Sequence, residues 1–212
     1  MQLLGLDITR IAHDTFRIKG SKVVYTDPFK VAKGDEADIV LISHEHFDHL
    51  SLDDLRKVIF PGTSIVASPL ASEGLKGVQA KEVLFLDPGG KQYVGNVEIE
   101  AVLAYNLNKF REPGQVFHPK GKGLGFLIRI DGVTLYYAGD SDFIPEMRSI
   151  KCDIALLPVS GTYVMTAEEA AEACNAIKPR IVVPMHYGAI VGSEADAERF
   201  KSLVKDVQVE II

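Results

Sequence analysis

The feature that most constrains this chain is a cluster of histidines and acids directly after an apolar run. The run, residues 39–42, reads IVLI and is typical of a buried strand. Residues 44–49, which follow it almost at once, read HEHFDH. Histidine and aspartate are side chains that bind divalent ions such as zinc. A strand that delivers several of them at its C-terminal end predicts half of a metal site.

The spacing within this cluster indicates how the side chains can be shared between ions. His44 and His46 are two residues apart, so in extended backbone they point to the same side and can bind one ion. Asp48 and His49 are adjacent, and a tight turn can direct them to a second ion nearby. The remaining ligands are then expected further along the chain.

Length and composition indicate a globular protein. We expect one domain over residues 1–212, because this length is sufficient for a sizeable core. The hydrophobic share of 47% and the charged share of 25% are typical of soluble proteins. A formal net charge of −6 opposes general affinity for nucleic acid, which needs clustered cations.

The sequence gives no sign of export or of membrane insertion. It contains no apolar stretch long enough to cross a bilayer, and its N-terminus lacks the basic start of a signal peptide. Cys152 and Cys174 are too few for a disulfide framework and are expected to pack as small apolar side chains. We therefore expect a cytoplasmic protein that does not contact membranes.

Each half of the chain begins with strands and continues with alternating strands and helices. Two such halves predict an α/β protein in which two sheets pack face to face with helices on both outer faces, an αββα sandwich. The one long irregular stretch is residues 104–123. A stretch of that length in a compact protein is usually a functional loop or a lid.

Two further strand ends carry residues that bind metals. Asp140 follows the strand predicted at 133–138, and His186 follows the strand predicted at 181–183. With residues 44–49, this set of strand ends resembles the metallo-β-lactamase superfamily, over nearly the whole chain from the TDPF segment at 26–29 to the PMHYG segment at 184–188. Residues 156–166, LLPVSGTYVMT, resemble its small stand-alone hydrolases, such as the ascorbate-6-phosphate lactonase-like group.

The resemblance implies a four-layer fold with a two-metal site along one edge. It assigns His44, His46 and a third histidine to the first ion. It assigns Asp48, His49 and His186 to the second ion. Asp140 is expected to bridge both. The H-E-H start of the cluster differs from the H-x-E of the redox diiron relatives, which favours two zinc ions and hydrolysis. Manganese and iron are alternatives, because histidine and carboxylate suit all three metals.

The third histidine of the first ion departs from the superfamily pattern. The segment that would usually carry it, residues 101–108, has Asn106 but no histidine. His118 in the long loop is the candidate that we favour, and His13 is the alternative. If neither binds, a water or Asn106 takes that place. If His13 is not the ligand, it is expected to line the pocket or to support the fold.

Three other residues have both a functional and a structural interpretation. Asp27, before a proline, can initiate a turn, and in the superfamily such an aspartate supports the loop that carries the ligands. Tyr163 and Tyr187 follow strand ends and can donate a hydrogen bond to developing charge. Simple packing is the alternative for each tyrosine.

The expected activity is hydrolysis, with Asp48 and Asp140 as the catalytic aspartates. Two adjacent divalent ions lower the pKa of a bound water and so supply hydroxide at neutral pH, and Asp48 can orient that water. The long loop contains four cationic residues and one acidic residue, namely Lys109, Arg111, Lys120, Lys122 and Glu112. This excess of positive charge favours a small anionic ester, lactone or phosphodiester as substrate. A nuclease and an inactive metal-binding protein of the same fold are the alternatives.

Overall fold

The computed structural model describes residues 1–32 and 34–212 and contains two seven-stranded mixed sheets. The strands of the first sheet lie side by side in chain order. Strands β1 to β4 are antiparallel to their neighbours, whereas β4 to β7 are parallel. Their bounds are β1 Gln2–Leu3, β2 Leu6–Ala12, β3 Thr15–Lys19, β4 Val23–Thr26, β5 Ile39–Ile42, β6 Ser64–Ala67 and β7 Glu82–Phe85.

The second sheet has the same design, with an antiparallel part followed by a parallel part. Its strands are β8 Lys91–Val94, β9 Val97–Ala104, β12 Gly123–Ile130, β13 Val133–Tyr137, β14 Ile154–Pro158, β15 Ile181–Met185 and β16 Gln208–Val209. They lie in the order β16-β15-β14-β13-β12-β9-β8, and β13 to β16 run parallel. The predicted irregular stretch contains a small hairpin of β10 Phe110–Glu112 and β11 Gln115–Val116.

In the described ranges, three α-helices accompany the sheets: α1 Leu52–Val58, α2 Ala167–Ile177 and α3 Glu194–Leu203. Short 3₁₀ helices occupy Pro69–Ala71 and Pro145–Ser149. Ser51 caps the start of α1, and Thr166 forms a reciprocal capping box with Glu169 at the start of α2. None of the helices in the described part of the chain combines the length and apolar character that crossing a membrane needs.

Alternation along the central strand β5 shows why the molecule has four layers. Ile39 and Leu41 belong to the main core, which includes apolar residues of both sheets. Val40 and Ile42 belong to a second core beneath α1, which contributes Leu55 to it. Helix α2 contributes its small apolar side chains to the main core on the second sheet. Because every β5 side chain is buried, each contributes about 1.5–3 kcal/mol to folding, and the predicted αββα sandwich is confirmed.

The strand directions decide where polar residues can meet. Strand β3 is antiparallel to β2 and β4, and β4 is parallel to β5, so β2, β4 and β5 all point to the same edge of the first sheet. In the second sheet β13 and β15 also run in one direction, because each pairs in parallel with β14. The segments directly after these strands carry the candidate ligands of the sequence.

Candidate metal centre

All six histidines of the chain lie in two adjacent groups of metal-binding side chains. One group contains His44, His46, His118 and Asp140, and the other contains His13, Asp14, His49 and His186. Within each group, one possible ligand atom from each residue lies within 4.8 Å of the others. Seven of the eight residues are buried, and His46 is half-buried. Residues distant in sequence therefore form one histidine-rich centre.

The first group has the spacing of ligands around one small ion. His46 Nδ1 lies 2.9 Å from His44 Nε2 and 3.4 Å from His118 Nε2. Asp140 Oδ2 lies 3.3 Å from His118 Nε2 and 3.9 Å from His44 Nε2. Zinc–nitrogen bonds of about 2.0–2.1 Å in a tetrahedron separate the ligand atoms by roughly 3.3 Å. These four side chains fit that arrangement.

The second group is fully buried and contains polar atoms that lack protein partners. His49 Nε2 lies 3.8 Å from Asp14 Oδ2, and the rings of His13 and His186 are 4.0 Å apart between centroids. Among the described residues, both ring nitrogens of His13, both carboxylate oxygens of Asp14 and Nε2 of His49 have no hydrogen-bond partner. Buried polar groups are almost always satisfied, so such a convergence fits a cation ligated by these side chains.

Asp140 lies between the two groups. Its Oδ2 is 3.4 Å from His186 Nε2 as well as 3.3 Å from His118 Nε2, and its Oδ1 is 3.4 Å from His49 Nε2. Burial opposes ionisation of this carboxyl, but the surrounding histidines outweigh burial and hold its pKa well below the usual value. An anionic Asp140 is therefore in contact with both groups.

Asp48 lies beside the second group and is partly open to solvent. Its Oδ2 is 3.4 Å from His13 Nε2 and 3.7 Å from His49 Nε2. Burial opposes ionisation of the Asp48 carboxyl, but the proximity of the His13 ring and the charge of His49 outweigh burial and lower its pKa. Asp48 is thus an ionised carboxylate at the boundary between the buried ligands and the pocket.

Hydrogen bonds at the ring nitrogens opposite the centre orient His44 and His49. Asp27 Oδ2 lies 2.7 Å from His49 Nδ1, and Ser43 Oγ lies 2.9 Å from His44 Nδ1. Asp27 also accepts a hydrogen bond from the Ser43 backbone N–H at 2.7 Å and another from the Tyr137 hydroxyl. Asp27 therefore fixes the ligand loop, as its place before Pro28 in the superfamily pattern implies.

His118 and His186 are held in the same way. Asn106 Oδ1 accepts hydrogen bonds from the His118 backbone N–H and from the His118 ring at Nδ1, both at 2.9 Å. Ser160 Oγ lies 2.9 Å from His186 Nδ1. Both rings consequently direct Nε2 to Asp140, and the Asn106 amide lies behind His118 in contact with its outer nitrogen.

Three residues of the centre have positive φ angles, which residues other than glycine rarely adopt. His13, Asp27 and His186 have φ angles of +50°, +36° and +62°. The His186 backbone N–H donates a hydrogen bond to the His13 carbonyl at 3.2 Å, which ties two of these residues together. Such positions cost about 1–3 kcal/mol each and concentrate at functional sites.

The electrostatic environment separates the histidines into two kinds. Burial lowers the pKa of His44 and of His118, so both rings are neutral and present a lone pair. His49 is different, because the Asp140 and Asp27 carboxylates outweigh burial and raise its pKa well above the usual value. Burial raises the pKa of Asp14 to about 6, with the nearby histidines opposing this shift.

A pocket of about 270 Å³ opens directly onto the centre. Its floor includes His46, Asp48, His118 and Asp140, and its walls are Phe47, Arg111, Phe117, Tyr163 and Ile190. Tyr163 therefore lies at the candidate site. Tyr187 is buried away from this pocket, where the Arg10 guanidinium lies 3.7 Å above its ring, so the packing interpretation applies to it.

The four cations predicted to attract an anion have different surroundings. Lys109 pairs with Glu169 at 2.7 Å, and Lys120 pairs with Glu146 at 2.6 Å. Arg111 lines the pocket, and Lys122 lines a smaller cavity that His46 and His118 also line. The charge available to a substrate at the main pocket is therefore that of Arg111.

Sequence reasoning left Asp14 out of the candidate site, and the structure places it in the second group. The available signal was its position directly after β2, beside His13. That signal has value only when β2 is known to point to the same edge as β5, which the sequence does not reveal. Ser43, Asp142 and Ser160 were also not singled out as supporting residues; Asp142 Oδ1 lies 3.2 Å from the Asn106 side-chain amide nitrogen.

Comparison with known proteins identifies the family. Residues 7–186 match the family model of the β-lactamase superfamily domain. The chain is 33% identical to a UPF0173 metal-dependent hydrolase of Pyrococcus abyssi, over 92% of this chain and 91% of that protein. It is 34% identical to a UPF0173 metal-dependent hydrolase of Thermoplasma acidophilum, over 98% of this chain and 95% of that one.

Solved structures agree with the family match. A protein of Parabacteroides distasonis that is assigned as a metal-dependent hydrolase superposes with a TM-score of 0.85 at 32% identity, covering 97% of this chain and 92% of that one. The metallo hydrolase Igni18 of Ignicoccus hospitalis shares the fold with a TM-score of 0.77 at 24% identity, covering 98% and 94%. Both the resemblance and the fold predicted from the sequence are thereby confirmed, and the chain belongs to the metallo-β-lactamase superfamily, within its family of UPF0173 metal-dependent hydrolases.

Proposed function

We propose that this chain is a cytoplasmic dizinc enzyme that hydrolyses a small anionic ester, lactone or phosphodiester. The observation that supports it most strongly is the pair of ligand groups that meet at Asp140. The first ion would be held by His44, His46 and His118. The second ion would be held by His49 and His186, with Asp48, Asp14 and His13 as its further neighbours, and Asp140 would contact both ions.

The side chains fit divalent ions in number, chemistry and position. Imidazole nitrogens with few carboxylates are donors that suit zinc. His13, Asp14 and His49 contain buried polar atoms without partners and belong to one group, so a cation among them would provide a partner for one atom of each side chain. Two cysteines without a disulfide fit a reducing compartment, which supports the cytoplasmic assignment.

The chemistry follows from the positions of the carboxylates. When bound, two zinc ions supply hydroxide at neutral pH and polarise the scissile carbonyl or phosphoryl group. Asp48 lines the pocket beside the second group and is placed to accept a proton from the attacking water. Asp140 holds the two groups together through its two oxygens, and Tyr163 at the pocket wall can donate a hydrogen bond to the leaving group.

The pocket supports a small anionic substrate. Its volume of about 270 Å³ lies just below the range of roughly 300–1,000 Å³ typical of drug-sized ligands. Arg111 provides one positive charge at its wall. A nuclease would need an extended basic groove, and the net charge of −6 does not favour one.

Metal analysis combined with a substrate screen tests this proposal. Purified protein is expected to bind two zinc ions per chain and to hydrolyse at least one ester, lactone or phosphodiester in an anionic panel. Asp140→Ala should abolish that hydrolysis. Asp53→Ala, at a carboxylate whose side chain is 91% exposed on α1, is the matched control and should leave it unchanged.

The outcomes separate the alternatives. Tight binding of one ion or none, with no hydrolysis, would favour the inactive metal-binding protein. Cleavage of nucleic acid but not of small anionic substrates would favour the nuclease. Hydrolysis that survives Asp140→Ala would show that the catalytic centre is elsewhere.

A further inference from the structure

The pocket over the metal centre has an apolar wall, although the pocket is open to water. Phe47 is 68% exposed, Ile190 is 41% exposed and Tyr163 is 39% exposed, yet all three line this one pocket together with Phe117. Phe117 and Tyr163 also pack edge to face with their ring centroids 4.6 Å apart. Exposed apolar side chains gathered around one cavity mark a binding surface for an apolar group.

Arg111 is the cation in this otherwise apolar wall. Its guanidinium carbon lies 5.5 Å from the centroid of the Phe117 ring. No carboxylate pairs with Arg111 among the described residues, whereas Lys109 and Lys120 in the same loop both have carboxylate partners. An arginine beside an aromatic wall can offer two parallel N–H donors to a carboxylate or phosphate.

The hairpin that carries Arg111 is anchored at its base. The Phe117 backbone N–H donates to the Lys109 carbonyl at 3.0 Å, which closes the hairpin. The Lys109 ammonium lies 2.7 Å from a Glu169 oxygen, and the Asn108 side-chain amide donates to the other Glu169 oxygen at 2.9 Å. These contacts connect the hairpin to the start of α2, so Arg111 is held over the pocket.

We infer that Arg111 is a specificity-determining residue for substrates that combine an apolar body with an anionic group. The substrate class is an ester or lactone with an aromatic or branched apolar part and, some distance from the scissile bond, a carboxylate or phosphate. The apolar part packs against Phe47, Phe117 and Tyr163, and the anionic group pairs with Arg111. This inference rests on the proposed function, and it assigns to one side chain the preference for anions.

Binding of a matched pair of ligands tests the role of Arg111 without requiring turnover. The ligands are 4-phenylbutyrate and its neutral amide, 4-phenylbutyramide, titrated by calorimetry into the zinc-loaded protein. Arg111→Gln should weaken binding of the acid about tenfold or more, because a charge-assisted contact is lost, and change the amide by less than about twofold. Arg148→Gln is the matched control, since Arg148 is also exposed and also lies over a phenylalanine ring, that of Phe143 at 4.8 Å.

A second variant tests the apolar wall. Phe47→Ala should weaken the acid and the amide by the same factor, because both ligands carry the same phenyl group. Unchanged affinity of the acid in Arg111→Gln would overturn the inference, because its carboxylate would then be held by the metals alone. Equal weakening of acid and amide in Arg111→Gln would overturn it as well, because Arg111 would then act only through packing.

Failure of the inference can be distinguished from failure of the proposed function. Binding of 4-phenylbutyrate that depends on Arg111, in a protein that hydrolyses no member of the anionic panel, would support the anion site and reject the hydrolysis. Hydrolysis of anionic esters with a KM that Arg111→Gln leaves unchanged would support the enzyme and overturn the role of Arg111.

Discussion

Four histidines of the metal centre are each oriented by a contact at Nδ1, which directs Nε2 inward. Their partners are a serine hydroxyl for His44 and for His186, the Asp27 carboxylate for His49 and the Asn106 amide for His118. Such outer contacts fix the ring orientation and the tautomer, and their loss typically costs 10–100-fold in metal affinity. The hydrogen-bond partners of the histidines are therefore as testable as the ligands themselves.

Asn106→Ala should weaken zinc binding about 10–100-fold, because His118 loses the acceptor for its Nδ1–H and for its backbone N–H. Competition with a chelating dye measures the affinity. Asn175→Ala, at an exposed position of α2, is the control and should leave the affinity unchanged. Equal affinities for the two variants would show that Asn106 does not orient His118.

Asp14→Asn should lower the number of zinc ions from two to one per chain, because the second group loses a buried anion next to His49. Metal analysis after dialysis against a weak chelator measures this number. Asp53→Asn, at an exposed position, should retain two ions. Retention of two ions by Asp14→Asn with unchanged affinity would remove Asp14 from the centre.

Sequence alone could go only part of the way at the residue scale. The cluster at 44–49 and the strand-end positions of Asp140 and His186 pointed to ligands because each lies directly after a strong strand signal. The choice between His118 and His13 depended on tertiary structure, and the structure places His118 beside His46 and His13 beside His186. Asp14 carried no local signal that distinguished it from a turn residue.

At the scale of elements, the sequence predicted that each half begins with strands and continues with alternating strands and helices, which agrees with the described part of the chain. Strand β5 has the predicted bounds, 39–42, and the Asp131-Gly132 turn joins β12 and β13 with φ angles of +50° and +79°. The β10–β11 hairpin was not predicted, because its residues are mostly exposed and show no apolar alternation. Hairpins of that kind form through their surroundings, here the contacts of Lys109 and Asn108 with Glu169.

Thr166→Ala should destabilise the protein by about 1 kcal/mol, because α2 loses the side chain that accepts the Glu169 N–H. Denaturant unfolding of the metal-free protein measures the change without a contribution from zinc. Thr162→Ala, at an exposed neighbouring position, should change stability by less than about 0.5 kcal/mol. Indistinguishable midpoints for the two variants would mean that the cap adds nothing to α2.

The two cysteines should resist alkylation in the folded protein. Burial raises the pKa of Cys152 and of Cys174 to about 12, so at pH 8 only about one thiol in 10,000 is the reactive thiolate. Mass spectrometry after iodoacetamide treatment should find both unmodified in native protein and both modified after denaturation. Rapid labelling of Cys174 in native protein would contradict its packing between α2 and the second sheet.

At the scale of the whole molecule, the centre joins the two sheets. His13, Asp27 and the ligands at 44–49 follow strands of the first sheet, while Asp140 and His186 follow strands of the second. Ions bound among them would cross-link the sheets at one edge. The expectation of one domain over residues 1–212 remains a prediction, and the cross-link gives it a physical basis.

Removing the metals should therefore lower the melting temperature of the whole protein. Ligands that bind only the folded state stabilise it by about 2.7 kcal/mol at 100 times their dissociation constant. Calorimetry of zinc-loaded and chelator-treated protein measures the difference, and Asp140→Ala should show a much smaller one. Equal melting temperatures with and without zinc would mean that the ions do not join the sheets.

Anomalous X-ray diffraction at the zinc absorption edge, from crystals of the zinc-loaded protein, tests the two-metal centre most directly. Two peaks are expected on either side of Asp140, one in contact with His44, His46 and His118 and the other in contact with His49 and His186. A single peak, or peaks remote from Asp140, would contradict the shared centre.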